Sequence, residues 1–320
     1  MDQEQISRYH SLDLFARQVV EGFITGRHRS PLHGFSVEFS DYRHYNPGES
    51  TAHIDWRLYG RTDRLFVKQY QEETNLRCQI LIDQSASMLF PLEGHDNIEN
   101  PNKLTFSVYA AAVLIEILHR QRDAFGLTLL GPALFPTSDL KTLNSELLQT
   151  SCRSNTAHQR HLLALLDNLL QSPQHSDLKP PTSNLPKTLH LTAEQLHRRS
   201  LVVIFTDALL PDDQQKDLID ALRHLRHNKH EVILFHTFHR PHELQLDYDA
   251  RPTRFIDLET HRTLQLNPAE IAAEYSHLME HLQSYLQHQA LQNRIDYIPV
   301  DTIKGFHQVM LPFLLKRNKI

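Results

Sequence analysis

The chain has 320 residues, 40% hydrophobic and 22% charged, enough apolar material for one large core or about two small ones. A formal charge of -5 lacks the basic footprint of a nucleic-acid binder, and two cysteines, Cys78 and Cys152, are too few for a disulfide framework and fit a reducing compartment. The opening Met1-Asp2-Gln3-Glu4 is unlike a signal peptide, and the most apolar helical stretch, Ala110 to Leu118, is far shorter than the ~20 residues of a membrane span, so the expectation is a soluble, cytoplasmic protein.

In chain order, Gln3 to Thr25 has the pattern of an amphipathic helix, with Leu12, Leu14, Phe15, Val19 and Phe23 near helical spacing. Pro31 to Glu73 changes to short extended pieces and turns: Ser36 to Phe39 alternates, Asn46-Pro47-Gly48-Glu49 signals a turn, and Leu65 to Tyr70 is a strand. The segment holds the single tryptophan, Trp56, read as the buried aromatic anchor of a β-rich extension, with Arg57, Arg61 and Arg64 solvated around it. The domain reading is therefore residues 1–75 as helix plus β-rich extension, and 76–320 as a separate α/β domain.

From Cys78 onward strands and helices alternate. Arg77 to Asp83 is a strand; Asn100-Pro101 has the form of a helix cap and first residue, followed by a helix over 103–122 that is apolar nearly all round. Ala124 to Leu130 is a strand, Ala133 to Phe135 a short second one, His158 to Leu170 a helix. Ser172 to Pro186 is the loosest stretch, and a helix runs from there to Arg199. The continuous run Leu201-Val202-Val203-Ile204-Phe205-Thr206 marks a strand buried on both faces. A helix over 213–226, a strand over 231–235, a small hairpin (254–257 and 263–266), a helix over 268–289, a strand over 295–300 and a helix over 306–315 complete a doubly wound, mainly parallel sheet.

Two of these strands run into an aspartate, Asp83 and Asp207. In a parallel sheet both lie at the edge where such folds bind ligands, and two converging carboxylates are costly unless a cation or proton offsets them. Ser85 and Ser87, in Asp83-Gln84-Ser85-Ala86-Ser87, add neutral oxygens beside the first acid. An all-oxygen set of this kind suits a hard cation such as Mg²⁺.

This constellation resembles the metal-ion-dependent adhesion site of von Willebrand factor A-like domains, in which a threonine from a second loop completes the shell. Ser183 matches that threonine's spacing and Thr182 its residue type; Thr156 is more distant. Pro31 to Phe39, Asp41-Tyr42-Arg43, Tyr45-Asn46-Pro47-Gly48, Ile54-Asp55-Trp56-Arg57, Val67-Lys68-Gln69-Tyr70, Arg198 to Val203, Asp257-Leu258-Glu259-Thr260 and Ile295-Asp296-Tyr297 are similar to the bacterial family called domain of unknown function 58. Ala52 stands where that family usually carries an arginine, and the glycine usual before the second-loop threonine is missing. The resemblance implies a von Willebrand factor A-like fold and a non-enzymatic, metal-dependent protein-binding module. It implies Mg²⁺ (or Mn²⁺ or Ca²⁺) as the cation, and a MoxR-type AAA+ ATPase, or its client, as a partner supplying an Asp or Glu.

The alternative is a metal-dependent hydrolase or phosphatase. It lacks the D-x-D pair, because Ser85 takes the second position, and no G-x-S-x-G elbow occurs. No G-x-G-x-x-G or Walker loop points to a nucleotide. Two histidine triplets, His224/His227/His230 and His236/His239/His242, have no accompanying cysteine and are expected to be solvated or hydrogen-bonded.

Overall fold

A computed structural model describes residues 12–25, 39–45, 55–70, 76–92, 98–131, 141–142, 147–171 and 184–317. The chain divides into two compact units, Met1–Gly26 with Leu76–Ile320, and Arg27–Asn75.

In the smaller unit, β1 (Phe39–His44) pairs antiparallel with β2 (Phe66–Tyr70). Between them, α2 (Trp56–Thr62) begins where Asp55 Oδ1 accepts from the amides of Arg57 and Leu58. That cap starts a helical turn at Trp56, within a segment expected to be β-rich. The indole is 61% exposed and, among the described residues, meets Tyr59 edge-on. Trp56 is therefore not a buried anchor. Ser36 to Glu38, the first part of the expected strand, lie outside the described residues.

The larger unit carries a seven-stranded sheet in the order β11-β8-β7-β3-β4-β6-β5. Its strands are β3 (Arg77–Asp83), β4 (Ala124–Leu130), β5 (Lys141–Thr142), β6 (Leu147–Gln149), β7 (Leu201–Thr206), β8 (Glu231–Phe238) and β11 (Asp296–Asp301). The ladders β11–β8, β8–β7, β7–β3 and β3–β4 are parallel, and only the β6 ladders are antiparallel. Both faces of the central strands are covered, so nearly every residue of β3, β4, β7 and β8 is buried, and β7 is apolar from Leu201 to Phe205. Cys78, Ile80 and Ile82 join one buried cluster with α1 (Leu12–Thr25), α3 (Lys103–Arg120), α4 (Thr156–Gln171) and α8 (Phe306–Arg317). Leu81, Val202, Ile204 and Leu234 join a second with α5 (Leu185–Gln195), α6 (Asp212–His227) and α7 (Pro268–Gln292). This is the doubly wound architecture.

Several boundaries move. The N-terminal helix packs into the sheet unit, so the sequence-based division at residue 75 separates it from its own core. Asn102, not Asn100, caps α3, its Oδ1 accepting from the Thr105 amide. Helix α5 stops at Gln195 instead of reaching Arg199, and β8 runs three residues past Phe235. Ala133 to Phe135 lie outside the described residues. The small hairpin is present as β9 (Thr253–Ile256) and β10 (Thr263–Leu266). No helix of the described residues is long and apolar enough to cross a membrane.

Candidate functional site

From β3 the sheet grows through β4 to one side, and from β7 through β8 to the other. The crevice between β3 and β7 is therefore the switch point at which such sheets take ligands. Asp83 closes β3 and Asp207 follows β7, 2% and 3% exposed.

Each acid sits in a turn that its own oxygen helps to form. Asp83 Oδ1 accepts from the Ser85 amide at 2.9 Å, which ends the strand and starts a one-turn 3-10 helix, Ala86–Leu89. Thr206 Oγ1 donates to Asp83 Oδ2 at 2.7 Å and accepts from the Ala208 amide, tying the two strand ends together. Ala208 then takes the left-handed conformation, φ 51°, and Asp207 Oδ1 accepts from the Leu209 amide. The hydroxyls of Ser85 and Ser87 lie 3.1 Å apart, and Ser87 also hydrogen-bonds Asp207. The four residues Asp83, Ser85, Ser87 and Asp207 are thus brought together. Thr156 opens α4 and bonds His119, away from this edge, and Thr182 and Ser183 lie outside the described residues.

Four groups that the sequence reading missed share the site. Lys103, fully buried, donates Nζ to Asp207 Oδ2 at 2.6 Å and to Glu243 Oε1. Glu243 sits in a π turn, Arg240–Leu244, held by the His239 amide on its Oε2. Glu259, between β9 and β10, accepts from the Ser87 amide at 3.0 Å. The fourth, His236, is 5% exposed and joins the Asp207 carbonyl (2.9 Å, from Nε2) to the Tyr297 hydroxyl (2.6 Å, at Nδ1). Since a carbonyl only accepts, Nε2 carries the proton and Nδ1 takes that of the tyrosine.

The electrostatics follow from four carboxyls around one ammonium. Burial alone would lower the Lys103 pKa, but Asp207 and Glu243 outweigh it and raise it. Burial pushes Asp207 up, while Lys103 pulls it further down, so it stays ionised below the usual range. Glu243 shares the same lysine, yet its burial prevails and its pKa rises. Asp83 is pushed up to about 7, first by burial and then by the neighbouring Asp207. Its partners are a hydroxyl and an amide, and no cation pairs with it among the described residues. Burial brings His236 down to about 4, so the ring is neutral.

Among the described residues no three His, Cys, Asp or Glu side chains converge on a preformed metal cage. The donor set at the switch point is two carboxylates and two hydroxyls, all oxygen. Among the described residues Asp83 lacks a counter-charge, which is the chemistry that fits a hard divalent cation. In the first histidine triplet, His224 bonds His190, and His230 accepts from the Ser200 amide.

A doubly wound α/β protein with a buried acid pair at its switch point is the class that fold and site define. The chain belongs to the family described as Protein of unknown function DUF58, whose pattern it matches over residues 41–284. An uncharacterized protein of Mycobacterium bovis, Mb1516, and one of Mycobacterium tuberculosis, Rv1480, are each 24% identical to it over 234 residues. These cover 72% of this chain and 64% of theirs. The chain thus spans a little under two thirds of the length of these relatives.

Proposed function

We propose that the β3–β7 edge is a cation-dependent docking site for an acidic side chain of a partner protein, and that the chain is a binding module and not an enzyme. Asp83, Ser85, Ser87 and Asp207 would hold Mg²⁺ (or Mn²⁺ or Ca²⁺), with the second-loop ligand supplied by Thr182 or Ser183. A cation held largely by neutral hydroxyls keeps an electrophilic position that a partner's Asp or Glu can fill. Lys103 fixes Asp207 in its ionised form, and Thr206 aims Asp83 across the crevice. The supporting observation is Asp83 itself: a buried acid facing a second acid, flanked by hydroxyls, with no cation of its own among the described residues.

The resemblance to the domain of unknown function 58 family is the ground for reading the partner as a MoxR-type AAA+ ATPase, or its client, in the assembly or maturation of protein complexes in the cytoplasm. Calorimetric titration with Mg²⁺ tests the site: binding is expected in the wild type and absent in Asp83→Ala, and equal affinity in both would overturn the reading. Co-purification with Mg²⁺ and with chelator tests the partner. Metal-dependent turnover of phosphate esters by the isolated protein would establish the hydrolase instead.

A further inference from the structure

The motif Asp257-Leu258-Glu259-Thr260 has no part in the reading above, yet it lies on the D-x-S-x-S loop. Asp257 builds a tight turn at the tip of the β9–β10 hairpin. Its Oδ1 accepts from the amides of Glu259 (2.8 Å) and Thr260 (3.3 Å), and its Oδ2 from the Thr260 hydroxyl (2.6 Å). The turn is closed by Asp257 N–H to the Arg262 carbonyl and His261 N–H to the Asp257 carbonyl. A turn so fixed delivers the Glu259 carboxylate to one place. There it accepts from the backbone of Ser87 at 3.0 Å and from that of Ala86.

That place is unfavourable for an anion. Asp207 and Asp257 both repel Glu259, and among the described residues no lysine or arginine pairs with it. Two backbone amides are its compensation. The hairpin that carries it is lightly held: Phe255 meets Tyr248 edge-on at 5.2 Å, while Ile256 and Leu264 remain 52% and 61% exposed.

We propose that Glu259 is an internal stand-in for the partner's carboxylate. Resting on the cation-dependent docking reading, the inference is that Glu259 supplies the acidic oxygen at the cation's open position until an outside Asp or Glu displaces it. A tethered carboxylate competes at an effective concentration on the order of millimolar. An isolated acidic side chain therefore loses to it, and only a partner that also makes contacts elsewhere wins. Glu259 thereby sets which acidic surfaces are accepted.

Terbium(III), an oxygen-seeking cation larger than Mg²⁺, provides the probe: its emission lifetimes in H₂O and D₂O count coordinated waters. Glu259→Gln keeps an acceptor for the Ser87 amide but is a poorer cation ligand. The bound ion is expected to carry about one more water in Glu259→Gln than in the wild type. Acetate should displace that water at a concentration ~10-fold lower in the variant. Equal water counts and equal acetate thresholds would overturn the role of Glu259, while terbium binding lost in Asp83→Ala would leave the docking site standing. Terbium binding indifferent to Asp83→Ala would overturn both.

Discussion

Strand β3 carries two buried polar side chains, Gln79 and Asp83, four residues apart and directed to the same side of the sheet. Gln79 sits in a neutral network that closes on itself. Its Nε2 donates to Thr128 Oγ1 (2.8 Å) and the Thr150 carbonyl (3.3 Å), and its Oε1 accepts from Cys152 Sγ (3.1 Å). Gly126 leaves the space for it: a Cβ there would stand 2.5 Å from Gln79 Oε1. Asp83 sits in a network that does not close, with Lys103 committed to Asp207 and Glu243. A satisfied buried polar group specifies how strands and loops register; an unbalanced one is a demand for something from outside.

Breaking the charged cluster should produce the largest effect. Lys103→Met leaves Asp207 and Glu243 buried without their cation, and stability in chelator should fall by ~3–5 kcal/mol, read from the urea midpoint. Adding Asp207→Asn should return part of that loss.

The second test is pH. Burial and the neighbouring Asp207 raise the folded-state pKa of Asp83 to about 7, from the ordinary carboxyl value of 3.8. The folded state therefore holds the proton more tightly, and this contribution is complete below about pH 4 and lost as pH rises to 7. Metal-free wild type should lose on the order of 2–4 kcal/mol across that window, a slope that Asp83→Asn should flatten. Mg²⁺ should raise the melting temperature of the wild type alone.

On the neutral side, Gly126→Ala should cost ~1–3 kcal/mol by forcing Gln79 aside, with no dependence on Mg²⁺ or on pH between 4 and 7. A metal-dependent cost would blur the distinction between the two networks. The smallest effect belongs to Trp56→Ala: an indole this exposed should change stability by under ~0.5 kcal/mol, and its emission should be red-shifted and quenched by acrylamide.

What could be read beforehand follows from distance along the chain. Strands β3 and β7 announce themselves locally, as β-prone runs leading into an acid, and the alternation of elements gives the winding. Lys103 finds Asp207 104 positions away and Glu243 140 away, and Glu259 reaches across 172 to Ser87, so only the folded sheet unites them. One local sign was available: a lysine at the first position of α3 opposes the helix dipole, which marks it as kept for another purpose. Trp56 misled because ring size was weighed while the capping power of Asp55 was not.

The imidazole of His236 is buried and hydrogen-bonded at both of its nitrogens. Its polarity is one-way: the tyrosine proton points in at one nitrogen and the ring proton points out at the other, toward a carbonyl that cannot reverse the order. Burial brings its pKa down to about 4, so this ring stays neutral between pH 5 and 8. In a nitrogen-15 spectrum it should appear as a single fixed tautomer, unmoved across that range. That resonance lies one bond from the Asp207 backbone, which makes it a quiet internal gauge of whatever enters the crevice beside it.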